Sequence, residues 1–127
     1  MSNYIKVMYI HKSVDKCIHI QELFSNFDNI MFDYESDYDE LSEVNFENYD
    51  ICIYTMNSDY IIEHLEQNCN TIFIVSDDGY SIPENSNFVK ELMKIGFDMY
   101  ITGTLNSEII GNLLSLYKNL TSNIYFL

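Results

Sequence analysis

Three short apolar segments of this chain end in residues that could do chemistry. An imidazole and an ammonium, His11 and Lys12, follow the first. Hydroxyls close the other two, at Thr55 and Ser76. Placed at the carboxyl ends of neighbouring strands, where open α/β sheets bind ligands, Lys12, Thr55 and Ser76 would converge on an anion. The structural alternative is a pairing of Lys12 with Asp77 or Asp78 from the next loop.

Two other patterns invite a chemical reading and fail it. Asp33, Glu35, Asp37 and Asp39 alternate as in a calcium loop, but Tyr38 and Val44 stand where such a loop needs a glycine and a final acid. A solvated acidic surface is the expectation, and a face of this kind would suit a basic partner. Nucleophilic catalysis needs a cysteine or serine beside a histidine and an orienting acid. Cys17, His19 and His64 fall on expected helices, and Cys69 precedes the fourth strand at the opposite end of the sheet. No such constellation forms, so no catalytic residues, metal or cofactor are expected, and the chain is not read as an enzyme. The three cysteines are widely spaced with no CxxC pair, which gives neither a zinc site nor a disulfide framework.

Charge narrows the partners. Twenty acidic residues stand against six lysines, and there is no arginine. A net charge of −14 repels nucleic acid and anionic membrane surfaces and favours a basic protein surface. No apolar run approaches the ~20 residues of a membrane helix. The start, MSNYIKVMYIHKS, passes directly into a strand pattern without a signal-peptide layout. A cytoplasmic location is expected.

These residues need elements to hold them, and strand and helix signals alternate five times. Strands are expected at Tyr4 to Ile10, Asn29 to Tyr34, Asp50 to Met56, Thr71 to Val75 and Met99 to Thr102. The third and fourth are almost continuously apolar, as strands buried on both faces are. Ser13 should cap a first helix with Val14, Cys17, Ile18, Phe24 and Phe27 inward. The acidic stretch 35–50 carries only a weak helix signal, from Leu41, Val44 and Phe46. Asn57 or Ser58 should start a helix burying Ile61, Ile62 and Leu65. A polar loop, 77–87, holds the single proline, Pro83. Phe88, Val89, Leu92 and Met93 mark a further helix that stops at Gly96. Asn106 or Ser107 starts the last, with Ile109, Ile110, Leu113, Leu114, Tyr117 and Leu120 inward. One α/β domain over 1–120 follows, with a short tail at 121–127. Its parallel sheet should have the order 2-1-3-4-5 and helices on both faces. No glycine-rich turn follows the first strand and no GxxxxGK[ST] loop occurs, so a nucleotide-phosphate cradle is not expected.

The segment GFDMYITGTL, Gly96 to Leu105, resembles the signature G-A-x-x-Y-[IL]-x-K-P-[FL] of response-regulator receiver domains, with Gly96, Tyr100, Ile101 and Leu105 matching. YDICIYT, Tyr49 to Thr55, is similar to the strand leading into the receiver's phosphorylated aspartate. TIFIVS, Thr71 to Ser76, is similar to its fourth strand with the terminal Ser/Thr. With the strand spacing, the resemblance spans residues 4 to 120.

The departures concern the phosphotransfer residues. The resemblance implies two acids after the first strand to hold magnesium, and His11 and Lys12 stand there. The phosphoacceptor aspartate falls on Thr55, whose hydroxyl cannot form an acyl phosphate. The conserved lysine falls on Gly103, and the proline after it on Thr104. Ser76 and Tyr100 keep the two switch positions. The reading is a pseudo-receiver: a phosphorylation-independent interaction module in bacterial signal transduction, with a signalling protein as partner and a homodimer as one form this could take. By resemblance the interaction face would include Phe88, Lys90, Glu91, Lys94, Tyr100 and Asn112. The alternative is a small-ligand or anion sensor at the strand-end pocket, with a flavin enzyme of the same fold as a third reading.

Overall fold

In the computed structural model the described residues are 4–56, 70–79 and 86–124, the side chains at 86–89 and 121–124 excepted. The expected helix after Met56 with Ile61, Ile62, Leu65 and His64, the cysteine Cys69, Pro83, the side chains of Phe88 and Val89, and residues 125–127 lie outside them.

Five strands form one parallel sheet: β1 (Ile5–Ile10), β2 (Ile30–Glu35), β3 (Ile51–Thr55), β4 (Ile72–Ser76) and β5 (Met99–Ile101). Their order is β2-β1-β3-β4-β5, as expected from the alternation of elements. Every pairing is parallel. The helices are α1 (Val14–Phe24), α2 (Ser86–Ile95) and α3 (Ser107–Ile124). α3 runs through residue 120, so the expected tail begins inside a helix.

Strand alternation sends side chains to two cores. On one face, Val7, Tyr9, Ile51, Ile53 and Ile74 pack with Cys17, Ile20 and Phe24 of α1 and Ile110, Leu113 and Leu114 of α3. On the other, Met8, Ile10, Cys52, Tyr54, Phe73 and Val75 meet Tyr38, Leu41, Leu92 and Phe97. β3 is buried at all five positions, the cause of its uninterrupted apolar sequence. Each fully buried isoleucine contributes about 1.5–3 kcal/mol relative to exposure.

Local signals decide the helix ends. Ser13 caps α1 by accepting from the Lys16 N–H at 3.2 Å. Asn106 caps α3, accepting from the Ile109 N–H at 2.9 Å. α2 ends where Gly96 takes φ +121°. Its N–H bonds Met93 O, and the Phe97 N–H reaches back to Leu92 O. That is the paired-bond glycine cap, completed by the apolar contact of Phe97 and Leu92 in one core.

Several expected placements are corrected. Val14 and Ile18 are exposed, because Cys17, Ile20 and Phe24 define the buried stripe of α1. Met93 and Leu120 also face outward. The acidic stretch forms two short 3-10 helices, Tyr38–Glu43 and Phe46–Asn48, capped by Asp37 and Asn45. Too few apolar residues recur there for an α-helical stripe, and Tyr38 and Leu41 alone are buried. No helix among the described residues is long and apolar enough to cross a membrane.

Candidate functional site

The carboxyl ends of β1, β3, β4 and β5 bring His11, Thr55, Ser76 and Gly103 to one end of the sheet. Thr55 and Ser76 are direct partners in the β3–β4 register. Both are buried. The Ser76 hydroxyl accepts from the Asp78 N–H at 3.2 Å, which shapes the turn after β4. The Thr55 Oγ1 is buried with no hydrogen-bond partner among the described residues. Its backbone carbonyl is occupied: the Tyr38 hydroxyl donates to it at 2.6 Å. Burial pushes the phenols of Tyr9 and Tyr38 well above the ordinary range.

His11 is oriented from both sides. Its Nδ1 accepts from the Ser13 N–H at 2.9 Å, so in the neutral ring the proton sits on Nε2. Nε2 faces Asp78 Oδ2 at 2.9 Å. The other Asp78 oxygen faces Lys16 Nζ at 3.5 Å. Asp78 thus ties the end of β4 to the start of α1, in a left-handed conformation (φ +52°) that aspartate tolerates better than most residues. His11 and Lys16, on either side of Lys12 in this region, both engage Asp78, and Lys12 itself is exposed.

The sequence offered Asp77 only as a partner for Lys12, and its bonds to Tyr100 and the Gly103 backbone are what sequence reasoning missed. Asp77 is only 3% exposed, and its carboxylate collects several donors. The Tyr100 hydroxyl donates at 2.6 Å, the Gly103 N–H at 2.7 Å and the Gly79 N–H at 2.9 Å. Burial alone would raise the Asp77 carboxyl. Hydrogen bonds from Tyr100, Gly79, Gly103 and Thr102 outweigh it and hold the group below the usual carboxylate range. Tyr100 responds in the opposite sense: burial, then the bond to Asp77 and its charge, push the phenol up to about 12. Asp77 follows the last residue of β4, and the pairing of Val75 with Tyr100 across the β4–β5 ladder brings the Asp77 and Tyr100 side chains together.

Gly103 has φ +88°, a left-handed conformation in which a side chain is strained even though nothing lies within 4 Å of an added Cβ. The backbone there is bent to aim its N–H at Asp77. Among the described residues no group of three or more His, Cys, Asp or Glu side chains could hold a metal ion. Cys17 donates its S–H to the His11 carbonyl at 3.4 Å, and burial pushes its thiol up to about 11.

On the expected interaction face, Lys90, Glu91, Lys94 and Asn112 are exposed and Tyr100 is half-buried. Lys94 and Glu91 form an ion pair at 3.7 Å with both side chains mostly in solvent, worth little to stability.

Sheet order and all-parallel pairing define the five-stranded flavodoxin-like fold that receiver domains share. No protein-family model matches the sequence, and no curated protein sequence matches it. Solved structures do. A protein assigned to pilus assembly (CpaE) from Burkholderia thailandensis superposes with a TM-score of 0.72 at 12% identity, over 91% of this chain and 98% of that one. A pilus assembly-related protein from Burkholderia pseudomallei gives 0.65 at 9% identity, over 92% and 91%. The response regulator domain of Thermotoga maritima CheB gives 0.62 at 14% identity, over 92% and 96%.

Proposed function

We propose that this domain is a pseudo-receiver, a regulatory module in signal transduction that binds a protein partner without being phosphorylated and catalyses no reaction of its own. The observation that carries this reading is the occupancy of the Asp77 carboxylate. Tyr100 and the Gly103 backbone, at the positions a receiver uses to report phosphorylation, are already tied to an internal anion. A phosphoryl group would have no acceptor at Thr55, no acid pair at His11 and Lys12 to hold its metal, and no lysine at Gly103. Partner binding takes the place of phosphate as the event that selects a conformation. The surface of α2, β5 and α3, with Lys90, Glu91, Lys94, Tyr100 and Asn112, is the proposed face. The same fold occurs in two pilus assembly proteins and in a response regulator domain.

Two measurements test the reading. Magnesium with beryllofluoride should leave the amide NMR spectrum unchanged; specific shifts at Thr55, Ser76 and Tyr100 would mean that another aspartate is the acceptor. Affinity capture should recover a signalling or assembly protein that a Tyr100→Ala, Lys94→Glu double variant fails to hold. Equal recovery by the variant removes the proposed face.

A further inference from the structure

The other edge of the sheet presents a second surface, independent of the α2–β5–α3 reading. β2 is an edge strand of six residues, all in register with β1. The Ile5 N–H bonds Asn29 O at 2.8 Å and the His11 N–H bonds Glu35 O at 3.2 Å. In a parallel ladder alternate residues of a strand face the same neighbour, so positions 29, 31, 33 and 35 turn to β1. The N–H and C=O groups of Ile30, Phe32 and Tyr34 therefore point to the open edge, and none of them is hydrogen-bonded among the described residues. Phe32 is fixed against the core, its ring 5.0 Å from that of Phe24. Met31 and Tyr34 remain 50% and 36% exposed beside this edge.

The charge around the strand selects its occupant. Along the chain there is no lysine or arginine from Cys17 to Val89, while nine carboxylates fall from Asp28 to Asp50; the one lysine of the adjoining strand is Lys6 of β1, in register with Met31. Proteins protect sheet edges with like charges, which stop a second copy from pairing edge to edge. The same charges attract an extended segment rich in lysine or arginine, whose backbone can meet the open groups while alternate side chains meet the acids and the Met31 and Tyr34 surfaces. We infer that β2 is a docking edge for a basic extended segment of a partner protein, bound by strand addition.

The probe is a capped heptapeptide of alternating lysine and valine, titrated into the full-length 15N-labelled protein. Expected are amide shifts and slowed hydrogen exchange centred on Ile30, Phe32 and Tyr34, with affinity falling roughly tenfold between low and high salt. Binding should vanish for the glutamate counterpart, for a peptide N-methylated at alternate amides, and in Tyr34→Pro. That variant removes one outward N–H and leaves the bonds to β1 in place, so its own spectrum reports an intact fold. Equal binding by the N-methylated peptide reduces the contact to counterion attraction and overturns the inference. Shifts centred away from β2 overturn it too, as does dimerisation of the free chain through β2 in sedimentation. None of these outcomes bears on the α2–β5–α3 face.

Discussion

The Tyr100 hydroxyl donates to the Asp77 carboxylate at 2.6 Å, linking the half-buried aromatic of β5 to a buried acid just beyond β4. The same carboxylate fixes the turn after β5 through the Gly103 N–H. Asp77→Ala removes the acceptor from both and should cost about 3 kcal/mol, since a hydrogen bond to a charged group contributes roughly 1.5–3 kcal/mol. The pH dependence has a definite sign. A carboxyl held below its unfolded value stabilises the fold above about pH 4 and loses that contribution as pH falls through its folded value. Urea denaturation of wild type and Asp77→Asn should therefore converge below about pH 4. Curves that stay parallel through that range would show that Asp77 is not the titrating anchor.

Tyr100 makes the complementary prediction at alkaline pH. Its phenol is raised to about 12 by burial and by Asp77, so the neutral form stabilises the fold below the unfolded value of about 10. That contribution is lost as pH rises toward 12. In 13C-tyrosine NMR the Tyr100 resonance should titrate late in wild type and earlier in Asp77→Asn. An unchanged Tyr100 titration in the variant would leave burial as the sole cause.

Gly103→Lys places the receiver's lysine back in the chain and should fail to restore a receiver. At φ +88° a side chain is strained, and the expected loss is about 1–2 kcal/mol even with open space around the Cβ. Beryllofluoride should still produce no spectral change in a Thr55→Asp, Gly103→Lys double variant, because His11 and Lys12 offer no carboxylates for magnesium. A saturable shift in that variant would show that the site tolerates metal without the acid pair.

Thr55 carries a buried hydroxyl with no partner among the described residues. Thr55→Val keeps the β-branched shape and deletes the polar atom. An unmade buried hydrogen bond costs about 1–3 kcal/mol, so the variant should equal or exceed wild type in stability, by up to ~1 kcal/mol. A clear loss on thermal or urea melting would mean that the hydroxyl is satisfied in solution, for instance by an internal water shared with Tyr9.

The sheet was legible because its signals are local or repetitive. Five apolar strands, the Ser13 and Asn106 caps and the Gly96 stop each rest on a few neighbouring residues, and the 2-1-3-4-5 order follows from alternation and handedness. What periodicity could not resolve was which of several apolar residues wins the interior. Val14 and Ile18 lost to Cys17 and Ile20 because one turn of α1 cannot bury both flanks. The positions of His11, Thr55, Ser76 and Gly103 at the strand ends were readable from the receiver-like spacing. Their partners were not. The Asp77–Tyr100 and Asp78–Lys16 contacts join residues 23 and 62 positions apart, set by the register of β4 with β5 and by the return of α1 over the sheet.

Gly111 lies inside α3, where glycine costs roughly 0.5–1 kcal/mol relative to alanine through its extra freedom in the unfolded chain. Two explanations compete for its presence: close approach of α3 to the end of α1, or no steric need at all. A Cβ built at Gly111 would meet the Phe27 ring at 3.5 and 3.7 Å, ordinary van der Waals distances. Alanine therefore fits without displacing Phe27 and adds an apolar contact. Gly111→Ala should raise stability by about 0.5–1 kcal/mol with an unchanged fold, whereas Gly111→Leu should destabilise by driving α3 from Phe27. Destabilisation by alanine itself would mean that α3 and Phe27 sit closer in solution than these distances allow, and that the glycine is there for contact.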